Sequence, residues 1–334
     1  MSRTARERLR TLAGVAILAV LLWRLGTGAF LDGLRRIDGP ALLASVALGV
    51  LTTVCSAWRW CLVARGLDLR LPLGRAVADY YRALFLNAAL PGGVLGDVHR
   101  AVQHGQHAGD LGRGVRAVVL ERAAGQVALI AVGAAVVLTP LSPASAAVRD
   151  ALTTPGAVVT LALLGAAGAA AVLWLRGRPG TSRRSRACRA VLAEARRALL
   201  ARDLWPGVVV SSLAVLAGHL GMFVLAARVA GSQASVAALL PLAVLALLAM
   251  ALPLNVGGWG PREGVTAWAF GAAGLGAAQG LTVSVVYGVL AFAASLPGVG
   301  VLAGPFVARL RRERPQIEFE ERVLAESGAA HRRA

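Results

Sequence analysis

A chain of 334 residues that is 57% hydrophobic, with a mean hydropathy of +0.66, is too apolar for a soluble domain, whose apolar content is about 45–50%. The formal net charge is +18, and all 35 basic residues are arginine. These arginines lie between apolar runs instead of clustering on a polar domain. They therefore indicate the cytoplasmic loops of a membrane protein, and we expect no nucleic-acid partner.

Nine apolar segments follow one another along the chain, and two of them are short. Segments 76–90 and 264–275 fall below the about 20 residues that a full crossing needs. Both lie beside glycine- and proline-containing breaks, so they predict half-helices of re-entrant hairpins whose irregular backbone is shielded from lipid. The nine segments are 11–30, 40–63, 76–90, 117–139, 156–175, 206–229, 236–254, 264–275 and 279–304.

The distribution of arginine between the loops predicts the topology. By the positive-inside rule, five arginine-rich stretches are cytoplasmic: 1–10, 64–76, 98–116, 176–203 and 305–334. Because 64–76 and 98–116 both lie inside, the chain over 76–98 enters and leaves from the cytoplasm. Loops 230–236 and 271–280 carry no arginine and lie outside, so 236–275 enters and leaves from that side.

This parity predicts an all-α polytopic membrane protein with six full transmembrane helices and two re-entrant helical hairpins in an inverted repeat. Many secondary transporters use such a repeat and place the substrate site at the repeat interface. A reading in which each hairpin is a pair of full spans is the main alternative. The predicted divisions are a cytoplasmic N-terminus at 1–10, a first repeat at 11–150 with hairpin 76–98, a second repeat at 151–305 with hairpin 236–275, and a charged cytoplasmic tail at 306–334.

The arginine-rich loop 176–203 allows two interpretations. From Ala187 to Leu200 it could form an amphipathic helix on anionic lipid headgroups. The alternative is a solvated connector that only sets the orientation of the chain.

The first glycine break, at residues 89–96, supplies five candidate substrate-binding residues. Asp97 and Arg100 are three positions apart, so they share one face of a helix and can pair. The glycines let backbone N–H groups face a ligand, and a helix N-terminus favours an anion such as phosphate. The alternative is that Asp97 only caps the helix while Arg100 lies at the cytoplasmic boundary. The candidates are Asn87, Gly92, Gly93, Asp97 and Arg100.

The second break, at residues 253–261, supplies five more candidates. Pro261 suits the first turn of a helix, and the adjacent Arg262 could bind a phosphate while Glu263 holds it or titrates with it. A buried pair that only specifies hairpin packing is the alternative. An amide before each glycine tip could satisfy broken backbone groups or contact a headgroup. The candidates are Asn255, Gly257, Gly258, Arg262 and Glu263.

Other charged residues near apolar segments are weaker candidates. Glu121 and Arg122 open segment 117–139 and form either a substrate-binding pair or a snorkelling pair at the interface. Arg59 lies between two tryptophans and is interpreted as an interface anchor in an aromatic belt. Tyr80 and Tyr81 either line the approach to the hairpin or anchor at the interface.

Histidines offer no strong metal signature. His99, His104 and His107, with Asp110, match no zinc-ligand spacing, so a polar loop is the preferred interpretation and we expect neither a metal nor a cofactor. A lone His219 inside a span is more often an interhelical hydrogen bond than a proton relay.

Together, these motifs resemble the lysylphosphatidylglycerol synthase transmembrane-region family. The resemblance covers about residues 10–305 and implies a flippase-like domain with re-entrant helices that translocates a lipid. It rests on Leu90-Pro91-Gly92-Gly93 with Gly96-Asp97 and Arg100, on Glu121-Arg122 with Gly125, and on Pro253 with Gly257-Gly258, Gly260 and Arg262-Glu263.

The best-known family members carry a soluble aminoacyl transferase domain, whereas this chain ends in a short charged tail, so aminoacyl transfer is not expected. We therefore predict a lipid flippase for an anionic, phosphate-bearing lipid of the cytoplasmic membrane, with both termini inside. A non-catalytic partner of a separate envelope enzyme and an integral-membrane lipid-phosphate transferase remain the alternatives. The expected partners are the lipid substrate and the bilayer, with an envelope-biosynthesis protein as a further candidate.

Overall fold

The computed structural model describes residue 31 and residues 35–89, 94–139, 143–153, 183–251 and 260–302, and every regular element in them is helical. Two predicted spans, 11–30 and 156–175, and both termini lie outside the described residues. The helices are α1 Gly39–Gly66, α2 Leu73–Ala89, α3 Leu95–Ala108, α4 Leu111–Leu138, α5 Pro143–Leu152, α6 Arg183–Leu200, α7 Trp205–Val229, α8 Val236–Met250, α9 Pro261–Ala272 and α10 Ala277–Ser295.

Within the described residues, four helices are long and apolar enough to cross a membrane, and they match predicted segments 40–63, 117–139, 206–229 and 279–304. They are α1, α4, α7 and α10, the last continuing to Leu302. Their outer faces are apolar: Leu43 is 74% exposed and Val127 is 66% exposed. Large exposed apolar faces of this kind suit contact with lipid.

Polar side chains define where these helices begin. Asp38 accepts a hydrogen bond from the Ala41 N–H at 2.9 Å ahead of α1, and Asp110 accepts from the Arg113 N–H at 2.9 Å ahead of α4. Such N-caps satisfy backbone donors that have no partner inside the helix. Asp110, considered above as a metal ligand, thus has a structural role.

Helices on both sides of each glycine break are short and pack against each other as pairs. Helices α2 and α3 flank the first break and α8 and α9 flank the second. Their lengths of 17, 14, 15 and 12 residues correspond to about 18–26 Å, less than the about 30 Å of a hydrocarbon core. The structure therefore has short helices beside both breaks, and their being the half-helices of re-entrant hairpins stays a prediction. The side from which each pair enters the membrane, and the inverted repeat, stay predictions.

Small residues let the helices approach closely. A Cβ atom added at Gly96 would lie 2.1 Å from the Ala83 carbonyl oxygen, where α3 crosses α2. An added Cβ at Gly218 of α7 would lie 2.3 Å from the Thr52 methyl group of α1. Van der Waals contact between small residues is how helices associate in lipid, where apolar surface alone provides little drive.

Two short helices lie beside the long ones. Helix α5 lies between the predicted segments 117–139 and 156–175, where the sequence predicts no apolar segment. Its Val148 is only 1% exposed and packs into the core. Helix α6 confirms the helical interpretation of 187–200. It is held by fully buried Ala198 against Gly66 and by a 3.0 Å ion pair between Glu194 and Arg116 of α4. Its contact with lipid headgroups stays a prediction.

Candidate functional site

Three helices bring five charged residues into one hydrogen-bonded group, which we call the first ion cluster. Helix α1 contributes one of them, α3 two and α4 two, although the three helices are separated by turns and by the first break. The members are Arg59, Asp97, Arg100, Glu121 and Arg122.

Glu121 is the centre of this cluster and has no accessible surface. Its Oε1 accepts hydrogen bonds from Arg59 Nε at 3.0 Å and from the Tyr80 hydroxyl at 3.2 Å, and its Oε2 accepts from Arg100 Nη2 at 3.1 Å. Arg59 also donates from Nη1 to Ser212 Oγ of α7 at 3.2 Å. A fully buried carboxylate is tolerated only with partners of this kind.

Arg100 lies between two aromatic rings. Its guanidinium carbon is 4.4 Å from the centre of the Trp60 ring and 4.3 Å from that of Tyr80, distances at which a cation is attracted to an aromatic face. Its Nη2 also donates to Asp97 Oδ1 at 3.0 Å. Its Nε and Nη1 are buried and have no hydrogen-bond partner within the described residues.

Asp97 joins the cluster to the first break. Its Oδ2 accepts hydrogen bonds from Arg122 Nη2 at 2.6 Å and from Asn87 Nδ2 at 3.1 Å. The Asn87 side-chain oxygen accepts in turn from the Gly96 N–H at 2.8 Å. The amide of Asn87 thus satisfies a backbone group beside the break, as one of the two predicted roles requires, and the predicted Asp97–Arg100 pair is confirmed.

A second ion cluster, formed by Arg262, Glu263, Ser284 and Tyr287, lies at the start of α9 and is buried. Arg262 donates from Nε to Glu263 Oε1 at 2.9 Å and to Ser284 Oγ at 3.0 Å. The Glu263 Oε2 accepts from the Gly260 N–H at 2.6 Å. Helix α9 begins at Pro261, as predicted. Gly260 before it has a φ of 121°, a backbone angle that residues with a Cβ atom rarely adopt.

One helix touches both clusters. Helix α7 carries Ser212, which contacts Arg59, and two turns further, about 10 Å, it carries His219. His219 Nδ1 lies 3.3 Å from the Tyr287 hydroxyl of α10, and the Arg262 guanidinium lies 5.1 Å from the centre of the Tyr287 ring. The predicted interhelical hydrogen bond of His219 is confirmed.

The structure corrects the interpretation of Arg59. It is not an interface anchor but a buried member of the first ion cluster, 4% exposed, because Glu121 and Ser212 from other helices supply its partners. Glu121 does not snorkel either, because it is fully buried, and Tyr80 contacts the cluster. A charged residue inside apolar segment 40–63 is the signal that could have placed Arg59 in the site.

Several predicted site residues cannot be located with the others. Gly92, Gly93, Asn255, Gly257 and Gly258 lie outside the described residues, and so do both hairpin tips. Among the histidines, His104 packs edge-on against Trp60 with ring centres 5.1 Å apart. Within the described residues, no group of three His, Cys, Asp or Glu side chains is arranged to hold a metal ion.

Comparison with known proteins matches residues 11–298 to the family model described as the lysylphosphatidylglycerol synthase TM region. The matched range includes every residue of both ion clusters. No curated protein and no solved structure matched the chain in the same comparisons.

Proposed function

Because the chain belongs to the lysylphosphatidylglycerol synthase TM-region family and is a multi-pass membrane protein, we propose that it moves an anionic, phosphate-bearing lipid across the cytoplasmic membrane. The family supports a lipid-related role in general. The finer proposal of lipid translocation rests on the two ion clusters.

The observation that carries this proposal is the burial of both clusters among apolar helices. Arg100 is 1% exposed, Arg262 is 3% exposed, and Glu121 and Glu263 have no accessible surface. Charged groups at membrane depth are costly and usually mark a substrate or ion pathway. Guanidinium groups are also the side chains best suited to binding a phosphate through two parallel hydrogen bonds.

In the proposed mechanism the headgroup enters between the two hairpins and contacts Arg100 and Arg262, while the acyl chains stay in the bilayer. Rocking of the two halves about the site gives alternating access, as in other inverted-repeat transporters. Asp97 and Glu263 compete with the headgroup for the same guanidinium groups and so promote its release. The chain is then a transporter and not an enzyme.

We place the protein in the cytoplasmic membrane with six crossings and both termini inside, because the arginine-rich loops 64–76, 98–116 and 176–203 then share one side. Labelling single cysteines at Arg70 and at Gly274 with an impermeant thiol reagent tests this, since only the second should react from outside. Labelling of both from the same side contradicts the proposed topology.

Lipid movement in proteoliposomes tests the proposal. We expect the wild-type protein to move fluorescent lipid analogues with an anionic headgroup faster than empty liposomes do. Arg262→Ala should slow this movement about tenfold or more, because an anion loses a charged partner worth over about 1.4 kcal/mol. Arg113→Ala is the matched control, since this arginine lies in the first turn of α4 and pairs with Asp110 and Glu194, outside both clusters. If neither the wild type nor Arg262→Ala differs from empty liposomes across several lipid classes, the proposal fails.

A further inference from the structure

The first ion cluster carries one more positive charge than negative charge. Its three guanidinium groups, from Arg59, Arg100 and Arg122, face the carboxylates of Asp97 and Glu121. The second cluster, by contrast, sets the one guanidinium of Arg262 against the one carboxylate of Glu263. An excess charge in a low-dielectric setting is costly unless an anion neutralises it. The excess positive charge favours the approach of an anion to the first cluster.

The Asp97 carboxylate occupies a position in the first ion cluster where an anion could bind. It lies in the first turn of α3, where the helix dipole favours negative charge, and its two oxygens accept from two arginines and one amide. Two guanidinium groups and an amide around two oxygens form the donor set that also binds the two free oxygens of a phosphodiester.

The two carboxylates of the cluster differ in access. Glu121 has no accessible surface, and its oxygens are used by Arg59, Tyr80 and Arg100. The Asp97 side chain is 18% exposed and its partner Arg122 is 46% exposed. An anion can therefore reach Arg122 from outside the cluster and displace Asp97, whereas Glu121 stays in place.

Arg100 has N–H donors that could bind an incoming anion in this exchange. Its Nη2 is shared between Asp97 and Glu121, and its Nε and Nη1 have no partner within the described residues. Buried donors without a partner are rare in proteins and indicate a ligand, a water molecule or an alternative arrangement.

From these observations we propose that Asp97 stands in for a substrate phosphodiester, and that a monoanionic lipid headgroup binds by replacing Asp97 on Arg122 and Arg100. The inference rests on the proposed function for the ligand being a lipid. It adds the ligand class, a phosphodiester carrying one negative charge, and the residue that competes with it. Return of Asp97 to the two arginines then releases the headgroup.

Binding of short-chain lipids to the purified full-length protein tests this exchange. The probes are dioctanoyl phosphatidylglycerol, which is a monoanionic phosphodiester, zwitterionic dioctanoyl phosphatidylcholine, and glycerol phosphate as a free phosphate ester. Native mass spectrometry in a neutral detergent gives the bound fraction at each concentration, and hence an apparent Kd.

Asp97→Asn removes the competing carboxylate, so phosphatidylglycerol should bind about tenfold tighter or more, whereas phosphatidylcholine should bind as it does to the wild type. Arg122→Gln should weaken phosphatidylglycerol by a similar factor, and the double variant should resemble Arg122→Gln. Asp110→Asn is the matched control, because Asp110 pairs with the exposed Arg113 and lies outside the cluster.

A second variant keeps the test independent of the folding of Asp97→Asn. Asp97→Ser also removes the competing carboxylate but leaves the donors of Arg100, Arg122 and Asn87 in place, so phosphatidylglycerol should again bind about tenfold tighter. Unchanged or weaker phosphatidylglycerol binding in both variants overturns the exchange. An equal gain for phosphatidylcholine overturns the role of charge, and an equal gain for glycerol phosphate overturns the lipid as the ligand.

Binding and movement are measured separately, so the two proposals fail in different ways. Tighter binding by Asp97→Asn without lipid movement by the wild type in proteoliposomes supports the exchange and removes the flippase proposal. Lipid movement by the wild type with no change of affinity in Asp97→Asn removes only the exchange.

Discussion

Glu121 illustrates, at the scale of the residue, what a buried charge requires. Three donors from three helices share its two oxygens, and no water-accessible surface is left to it. Replacing such a network as a whole by apolar groups is often neutral, whereas removing one partner leaves the other charges buried and unpaired. The network therefore specifies how α1, α2, α3 and α4 meet.

We predict that Glu121→Gln lowers the free energy of unfolding by about 3–5 kcal/mol, because Arg59 and Arg100 lose their shared anion. Thermal or denaturant unfolding in detergent, followed by tryptophan fluorescence, measures this change. Asp110→Asn removes an exposed carboxylate as the control and should change the stability by less than about 1 kcal/mol. Equal effects of the two substitutions would contradict the central role of Glu121.

His104 makes the stability depend on pH. Burial against Trp60 lowers the pKa of His104 below its ordinary value of 6.5, and the charge of Arg75 lowers it further while that of Asp79 opposes the shift. The folded protein thus holds the ring neutral, whereas the unfolded chain takes up a proton as the pH falls through 6.5. Its contribution to stability is full above that pH and is lost on acidification.

We expect the thermal midpoint to decrease as the pH is lowered from 7 to 5. The free energy of unfolding should decrease by at most about 1.4 kcal/mol per pH unit, the slope that this one proton allows. In His104→Gln that part of the slope should disappear. His107→Gln keeps it, because His107 is exposed and bonds only to the Gln103 carbonyl oxygen within its own helix. An unchanged slope in His104→Gln would assign the pH dependence to other groups.

At the scale of the element, the first helix pair depends on backbone contact. Helix α3 approaches α2 so closely at Gly96 that an added Cβ would meet three backbone atoms of Ala83 within 2.7 Å. The same approach brings the Gly96 N–H and the Asp97 carboxylate within hydrogen-bond distance of Asn87 on α2. The geometry of the first ion cluster therefore depends on a residue with no side chain.

Gly96→Ala should separate the two helices and destabilise the protein by about 1–3 kcal/mol, the usual cost of overpacking a tight contact. Unfolding in detergent and the rate of limited proteolysis between α2 and α3 both report it. Gly74→Ala in α2 is the matched control, since an added Cβ there would have no atom within 4 Å and alanine favours the helix. If both variants are as stable as the wild type, the close approach at Gly96 is not required.

At the scale of the whole molecule, α7 connects the two ion clusters. It reaches the first cluster through Ser212 and the second through His219 and Tyr287, although these clusters belong to helices far apart in the sequence. A movement of α7 would change the surroundings of Arg59 directly and those of Arg262 through Tyr287. Coupling of this kind is what alternating access requires of the proposed transporter.

Tyr287→Phe should slow lipid movement about two- to tenfold without unfolding the protein, because the ring beside Arg262 is kept and only the hydrogen bond to His219 is lost. Proteoliposome assays measure the rate, and unfolding in detergent checks the fold. Ser295→Ala removes a hydroxyl from the same helix that bonds only to its own backbone, so it should leave the rate unchanged. Equal rates of lipid movement in Tyr287→Phe and Ser295→Ala would contradict a role of α7 in the mechanism.

Local spacing explains what could be predicted of the site. Asp97 and Arg100 are three residues apart, and helix periodicity places such residues on one face whatever the fold. Arg262 and Glu263 are adjacent in the chain, so their side chains start close together. Arg59 and Glu121, in contrast, are 62 residues apart. Their pairing depends on the packing of α1 against α4, and no sequence pattern in either segment predicts it.

The amino-acid sequence by itself determined the class of the protein, its long spans, its short helices and the breaks between them, because hydrophobic length and glycine or proline positions act locally. Only the tertiary structure decided that Arg59 is a cluster member, that Trp60 and Tyr80 enclose Arg100, and that α7 touches both clusters. The physical reason is that a buried charge takes its partners from whichever helices pack around it, and helix packing is a property of the whole chain.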